Sequence, residues 1–426
     1  MSSRTNAFVN ICMFYLFLDI YTFFGLQSLF KGKFKRIYQI LYILTSLFVY
    51  YCFYTFYHAF TGGGFFSSTK SNFALGIVLT AIVSKMFFVG LMLIQDSGRW
   101  LYGFGSFFKR KIKGEKRHET QTFFPSRRKF LTLTATTIAA IPLFSMLYGI
   151  TKGKYNYSIN RLKLSFKDLP EAFNGFKIVQ ISDIHAGSLD SPSDVLRGVK
   201  MINDQKPDVI LFTGDMVNSN KDEVNPYIDI FKQLEAKHGK FSVLGNHDYY
   251  AAPDNETPQS ETGYWADFKA KFAAMGFQLM NNENVYIEKN GEKINLVGVE
   301  NWGKARWFPK RGDLDLALKN TSKDDFCVLM SHDPTHWDEK ILAHNKHIHL
   351  TLSGHTHGMQ FGLNMPNFKW SPAQYSYKRW MGLYEEKNQY LYVNRGFGFL
   401  AFPGRVGMWP ETVSYTHLRA HETCGH

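Results

Sequence analysis

The sequence predicts a chain in two parts, a bundle of four membrane-spanning helices followed by a layered α/β domain. Three observations carry this prediction. The first 150 residues are dominated by Phe, Tyr, Leu and Ile in runs of span length. From about Lys154, short runs of Val, Ile, Leu and Phe alternate with amphipathic stretches. Five of those short runs end in clusters of aspartate, asparagine and histidine between residues 183 and 357.

The four spans are read at Ala7–Phe30, Ile37–Tyr57, Phe73–Ile94 and Leu131–Ile150, each close to the ~20 apolar residues a bilayer requires. The second and fourth carry no charge; the first holds Asp19 and the third Lys85, for which interhelical partners are the expected use. The first connection carries Lys31, Lys33, Lys35 and Arg36, and the second, between His58 and Asn72, only Lys70. The third carries Arg99, Lys109, Arg110, Lys111, Lys113, Lys116, Arg117, Arg127, Arg128 and Lys129. Short basic loops stay in the cytoplasm. The first and third connections are therefore expected inside, and the N-terminus and everything beyond Ile150 outside. Ser126-Arg127-Arg128-Lys129-Phe130-Leu131 resembles a twin-arginine export motif ahead of an uncharged run, and it equally fits the basic flank of a span.

The net charge of +13 sits largely in these connections, so it reports membrane topology rather than nucleic-acid binding. Cys12, Cys52, Cys327 and Cys424 form no disulfide framework.

In the second half, strands are expected at Phe176–Ile181, Val209–Phe212, Phe241–Leu244, Ile294–Val299, Cys327–Met330, Ile348–Leu352 and Tyr390–Val393. Helices are expected at Ser193–Gln205, Val224–Ala236 and Gly263–Met275. Tyr250–Glu261, rich in Pro, Asn and Glu, reads as a surface loop. The polar clusters follow the strands directly: Asp183-Ile184-His185, Gly214-Asp215-Met216-Val217-Asn218, Gly245-Asn246-His247-Asp248, Ser331-His332-Asp333 and Gly354-His355-Thr356-His357. In an open α/β sheet, ligands bind beyond the carboxyl ends of the strands. Oxygen and imidazole donors gathered there, with no thiolate, suit one or two divalent transition metals.

Any one of these segments is weak, because Asp-x-His is common at caps and Gly-Asp at turns. As an ordered set at strand ends they resemble the calcineurin-like metallophosphoesterases over about Lys154 to Glu411. The resemblance implies a sandwich of two β-sheets flanked by helices and a dinuclear centre. Asp183, His185 and His357 would hold one ion, Asn246, His332 and His355 the other, and Asp215 would bridge them. The ions would be Mn, Fe or Zn, and a hydroxide shared between them would attack phosphorus in a phosphomonoester or phosphodiester. His247 would protonate or stabilise the leaving oxygen, with Asp248 orienting it, and Asn218 would support its loop. The fifth motif continues Gly358-Met359-Gln360, with Met359 where the family often has glycine. Gly298-Val299-Glu300, Asn394-Arg395-Gly396-Phe397-Gly398 and Pro403-Gly404-Arg405 further resemble the bacterial membrane-anchored branch. That implies a multi-pass inner-membrane protein with an extracytoplasmic catalytic domain and a phosphorylated small-molecule or lipid substrate.

Arg395 and Arg405 are open between substrate phosphate and packing. His336, His344, His347 and His349 match no ligand position and read as surface or packing residues. Asn301–Arg311 and Phe368–Leu383 mix Trp and Tyr with Lys and Arg, as membrane-interface segments do. Packing is the preferred reading of Trp302, and an interface role that of the second stretch. From Ser414 to His426 the chain resembles a translated adapter or vector sequence, so the catalytic domain is set at residues 154–413 and a disordered tail is expected. Two alternatives remain: a pyrophosphatase acting on a nucleotide-linked lipid precursor, and a non-catalytic membrane receptor that retains the fold. Presence of all seven ligand positions and His247 speaks against the receptor.

Overall fold

The computed structural model describes residues 3–62, 69–113 and 125–419. The chain divides into two compact units, the first built on four helices up to Tyr148 and the second beginning at Gly149.

The helices are α1 (Ser3–Gln27), α2 (Gly32–Thr61), α3 (Thr69–Lys113) and α4 (Pro125–Thr151), and all four are long and apolar enough to cross a membrane. Helix α3 runs well past the expected end at Ile94, through an aromatic stretch that includes Gly98, Gly103 and Gly105, to the basic residues ending at Lys113. Tyr15, Val49, Phe53 and Val78 pack α1, α2 and α3 together, while Leu18, Phe88, Met92, Ala135 and Ala139 join α1, α3 and α4. Many other large apolar side chains, such as Phe17, Ile40, Leu44 and Phe144, point outward. That pattern suits helices surrounded by lipid.

The two charges inside the spans meet. Asp19 Oδ1 accepts from Tyr42 Oη at 2.9 Å, from Ser46 Oγ at 2.9 Å and from Lys85 Nζ. Lys85 also donates to Tyr15 Oη at 2.7 Å and lies over the Tyr15 and Tyr42 rings. The pair ties α1, α2 and α3 with every charge hydrogen-bonded, the condition under which a buried pair is tolerated. Arg127 and Arg128 fall within α4, but their side chains lie outside the described residues, as do Lys116 and Arg117 altogether.

The second unit holds two six-stranded sheets, with strands numbered along the chain. The first has the order β1 (Ser158–Phe166), β14 (Glu411–Arg419), β2 (Lys177–Ile181), β3 (Val209–Phe212), β4 (Lys240–Ser242), β5 (Phe277–Leu279). The second has the order β12 (Gly382–Glu386), β13 (Gln389–Val393), β9 (Leu350–Ser353), β8 (Cys327–Met330), β7 (Glu292–Gly298), β6 (Glu283–Lys289). A separate hairpin pairs β10 (Leu363–Met365) with β11 (Phe368–Trp370). The centre of each sheet is parallel, β2-β3-β4 in one and β13-β9-β8-β7 in the other.

Strand alternation sorts the side chains into layers. Ile178, Val209 and Leu211 from one sheet meet Leu296, Val328, Leu350 and Tyr392 from the other. Their neighbours Val179, Ile210 and Phe212 face helices Pro192–Asn203 and Gly263–Ala274 instead. On the far side Val297, Leu329 and Leu391 pack on Trp337 and Ile341. The result is the expected sandwich, helices outside two sheets.

One expectation is corrected. The tail does not leave the fold at Ser414: β14 runs to Arg419, parallel to β1 and antiparallel to β2. Val413, Tyr415 and His417 alternate into the inter-sheet core, and Tyr415 donates to Gln180 at 2.6 Å. The segment Ser414–Arg419 has the alternation a strand needs, which its unusual composition concealed. Residues 420–426, including Cys424, lie outside the described residues.

The intramembrane pair yields a test. Asp19→Asn and Lys85→Met, each alone, should lower the stability of the detergent-solubilised chain by about 3 kcal/mol, since each leaves a buried charge unpaired. The double variant should recover most of that loss. Thermal unfolding checks this, and additive losses would show that the two groups are not coupled.

Candidate metal centre

All five motifs emerge at the carboxyl ends of parallel strands. Asp183-Ile184-His185 follows β2, Gly214–Asn218 follows β3, and Gly245–Asp248 lies just past β4. Ser331–Asp333 follows β8 and Gly354–His357 follows β9. The sandwich therefore brings three loops of one sheet against two of the other. Two glycines allow that approach. A Cβ on Gly245 would lie 2.2 Å from Asp215 Oδ1, and one on Gly354 would lie 2.2 Å from Asp183 Oδ2.

The backbone turns sharply at the donors. Asp183, His185, Asp215, His355 and His357 all have left-handed φ, between 49° and 73°. Such angles are uncommon for residues other than glycine and persist only where the surroundings enforce them.

The donor atoms converge in two groups. Asp183, His185 and His357 form one, Asp215, His332 and His355 the other, with the ligand atoms of each group within 4.8 Å of one another. His357 Nε2 lies 3.2 Å from Asp183 Oδ1 and 3.1 Å from His185 Nε2. Asp215 Oδ2 lies 3.6 Å from His185 Nε2 and 3.1 Å from His332 Nε2, and so sits between the groups. Asn246 Oδ1 meets His355 Nδ1 at 2.8 Å. Every one of the seven expected ligands is thus brought to one place. His332 Nδ1 donates to Thr213 O at 2.7 Å, so Nε2 is the nitrogen that would coordinate an ion held there.

The residues fit divalent cations. His185 Nδ1 and Asp333 Oδ2 are buried polar atoms without a hydrogen-bond partner, and a buried polar group left unpaired is what a bound ion would satisfy. Burial opposes ionisation of Asp183 and Asp215, yet the adjacent imidazoles hold both well below the usual carboxylate range. Burial likewise works against charge on His332, but the Asp215 carboxylate raises it to about 10. Burial drives His185 well below its ordinary value and lowers His247 and His355.

His247 is buried, its ring 5.0 Å from that of His185. Its Nδ1 is 2.7 Å from Asn218 O, and because a carbonyl only accepts, Nδ1 carries the proton and Nε2 is the basic nitrogen of the neutral ring. The sequence expectation that Asp248 orients this ring is corrected. The Asp248 carboxylate accepts instead from the N–H groups of Asp215, Met216, Val217 and Gly245, at 2.8–3.3 Å. The left-handed turn at Gly214 and Asp215 aims successive amides at one point, and a carboxylate is what they bind. Burial and the nearby Asp215 push Asp248 up to about 8, against the pull of these N–H bonds.

Arg395 pairs with Glu411 at 2.9 Å, and Arg405 donates to the carbonyls of Arg395, Gly398 and Met408. Both are buried, and Arg405 Nη2 also lies 3.2 Å from His357 Nδ1. His336 stacks on Trp302 and His349 on Phe326, as packing residues. Sequence reasoning missed Tyr377, whose hydroxyl lies 2.9 Å from His355 Nε2, and Asp333, whose Oδ2 lies 3.5 Å from it. Asp333 stood inside a motif and was legible there; Tyr377 lies in a loop without one. Phe308 packs edge-on to His355 and borders a cavity of about 310 Å³ lined by Tyr249, Trp265, Trp307 and Arg311.

Residues 176–359 match the family model described as calcineurin-like phosphoesterase, and residues 4–154 the one described as probable calcineurin-like phosphoesterase, transmembrane domain. The uncharacterized metallophosphoesterase YkuE of Bacillus subtilis is 30% identical over 299 residues, covering 68% of this chain and 97% of that protein. A transmembrane protein with metallophosphoesterase domain from Danio rerio is 27% identical over 296 residues. That alignment covers 68% of this chain and 62% of the relative, so the chain spans less than two thirds of its length. The UDP-2,3-diacylglucosamine pyrophosphatase LpxG of Chlamydia muridarum is 26% identical over 317 residues, covering 63% of this chain and 91% of that protein.

Asp248→Ala should destabilise the α/β unit by about 3 kcal/mol or more, because several buried N–H groups lose their acceptor. Asp248→Asn, which keeps one oxygen, should lose less. Denaturation of the full chain in detergent measures both, and an unshifted midpoint for Asp248→Ala would refute the loop-holding role.

Proposed function

The chain belongs to the calcineurin-like phosphoesterases, and on that premise we propose a dinuclear, membrane-anchored enzyme that hydrolyses phosphomonoesters or phosphodiesters. The observation that carries the proposal is Asp215 Oδ2 lying between two converging donor groups. In this reading Asp183, His185 and His357 hold one ion, Asn246, His332 and His355 hold the other, and Asp215 serves both. The oxygen and imidazole donors suit Mn, Fe or Zn. Ions held there supply Lewis acidity toward a phosphoryl oxygen and a water of lowered pKa.

The protein's own groups do the rest. Asn218 O fixes the His247 ring through Nδ1, so that Nε2, once the ring has taken up a second proton from solvent, would pass that proton to the leaving oxygen and return to the neutral form. Asp248 acts one step back, pinning the turn that carries Asp215. The cavity bordered by Phe308, whose walls mix Tyr249, Trp265 and Trp307 with Asp254, Glu256 and Arg311, offers room for the substrate's organic part.

We assign the catalytic unit to the outer side of a bacterial inner membrane. The support is the charge bias of the connections, four and ten basic residues in the first and third against Lys70 alone in the second. A second reading, pyrophosphatase action on a nucleotide-linked lipid, draws support from the Chlamydia muridarum relative. Such a substrate is made on the cytoplasmic face, so orientation separates the two readings.

A phosphate-release screen of the purified chain with Mn, Fe, Zn and Mg, using monoester, diester and lipid-phosphate substrates, tests the activity. In it, Asp215→Asn should cost more than about a hundredfold, the upper range for residues that merely support a ligand, with bound metal reduced. Full turnover with two ions retained would end the dinuclear assignment. His247→Ala should keep its metal and lose roughly 10²–10⁴-fold on poor leaving groups, but less on good ones. Equal losses would replace proton donation with charge stabilisation.

For orientation, protease added to intact spheroplasts should cut the catalytic unit. Protection until lysis would reverse the topology and promote the nucleotide-lipid reading. Arg127→Lys with Arg128→Lys preserves charge and should block export only if a receptor reads the arginine pair.

A further inference from the structure

The β10–β11 hairpin leaves the domain immediately after the His357 loop and carries an apolar face with little packed against it. Its register pairs Leu363 with Trp370 and Met365 with Phe368, so these four side chains share one face, while Asn364 and Lys369 share the other. Every residue from Leu363 to Lys369 is exposed. Leu363 and Met365 are each 49% accessible and Phe368 is 51% accessible. A soluble hairpin turns such a face into a core; this one leaves it exposed.

The base of the hairpin is fixed while its tip projects. Gly362 N donates to Val406 O at 2.9 Å, and Ser371 Oγ donates to Gly358 O at 2.7 Å. Gly358 adjoins His357, and Tyr377, at the end of the same excursion, touches His355. The apolar face is thus held at a set place beside the metal centre.

We infer that this face inserts into the surface of a lipid bilayer and presents the centre with phosphate esters carried on lipids. Two features select a bilayer over other occupants. The chain is tethered to one by α1–α4, so an apolar phase is always within reach. The segment from Gly358 to Trp370 also contains Lys369 and no acidic residue, which complements anionic headgroups. Apolar and aromatic side chains beside a lysine are the composition of interfacial segments. The substrate class rests on the phosphoesterase reading above; the lipid contact does not.

The test uses the full chain in proteoliposomes of phosphatidylcholine and phosphatidic acid. A photoreactive benzoylphenylalanine replaces Phe368 in one variant and Lys369 in another. Illumination should join position 368 to phospholipid, seen as a mass increase, with far less adduct at 369. Equal or absent lipid adducts at the two positions overturn the inference. So does a dimer adduct at 368, which would make the face a contact between copies. In a second arm, Met365→Glu with Phe368→Glu should slow phosphatidic acid hydrolysis about tenfold, because charges replace inserting apolar groups. The same variant should hydrolyse a water-soluble aryl phosphate at the wild-type rate. Parallel loss on both substrates overturns lipid presentation. A wild-type protein inactive on both removes the phosphoesterase reading, while crosslinking still decides the lipid contact.

Discussion

The α/β unit is organised around one buried carboxylate. Asp215 lies almost wholly out of water, between His185 and His332, and desolvation alone would neutralise it. Two arrangements keep it charged. Imidazoles from both sheets crowd its oxygens, and the His247 backbone N–H donates to Oδ1 at 2.8 Å. The first depends on strands from the two sheets ending at the same edge. The parallel centres of the sheets, the glycines that let the loops touch, and the two-sided burial of the core strands serve that placement.

What the sequence made legible follows from the same physics. The seven donors stood out because each follows a short apolar run, and a parallel strand buried on both faces has to be such a run. Asp248 was misread because its neighbour in sequence, His247, suggested a partner. Its real partners are backbone amides, which no residue type announces. Tyr377 was missed because a loop residue that reaches a site through space leaves no periodic trace. Strand β14 was discounted because its composition looks foreign. A strand in this position requires only that alternate residues be burial-tolerant, and Val413, Tyr415 and His417 meet that requirement. His417 nevertheless enters the core with both ring nitrogens unpaired, stacked on Phe166, and burial lowers it to about 4.

In the helical unit the limit was different. Hydropathy located four spans but not what joins them, since lipid-facing and helix-facing residues are equally apolar. The two charges were the exception. An Asp and a Lys inside spans have few affordable fates, and the structure supplies the one expected, a mutual contact reinforced by Tyr15, Tyr42 and Ser46. The continuation of α3 past Ile94 went unread because Asp96, Gly98, Arg99, Gly103 and Gly105 give it the composition of a connecting loop.

The left-handed donors carry the argument further. A non-glycine residue in that region is strained by of order 1 kcal/mol or more, and five of the seven donors share it. Summed, that strain is comparable to the net stability of an ordinary domain, and it falls where buried carboxylates and unpaired ring nitrogens add their own cost. Packing of the surrounding sheets holds the turns in place, and cations that bind the folded chain and not the unfolded one would add to its stability, because their binding energy enters directly as folding energy. The strain also has a directional consequence. It aims the donors of two sheets at shared points instead of letting each side chain relax onto its own strand. The centre is thereby shaped before any ion arrives, as a site must be if its ions are to hold a phosphate group in one fixed orientation.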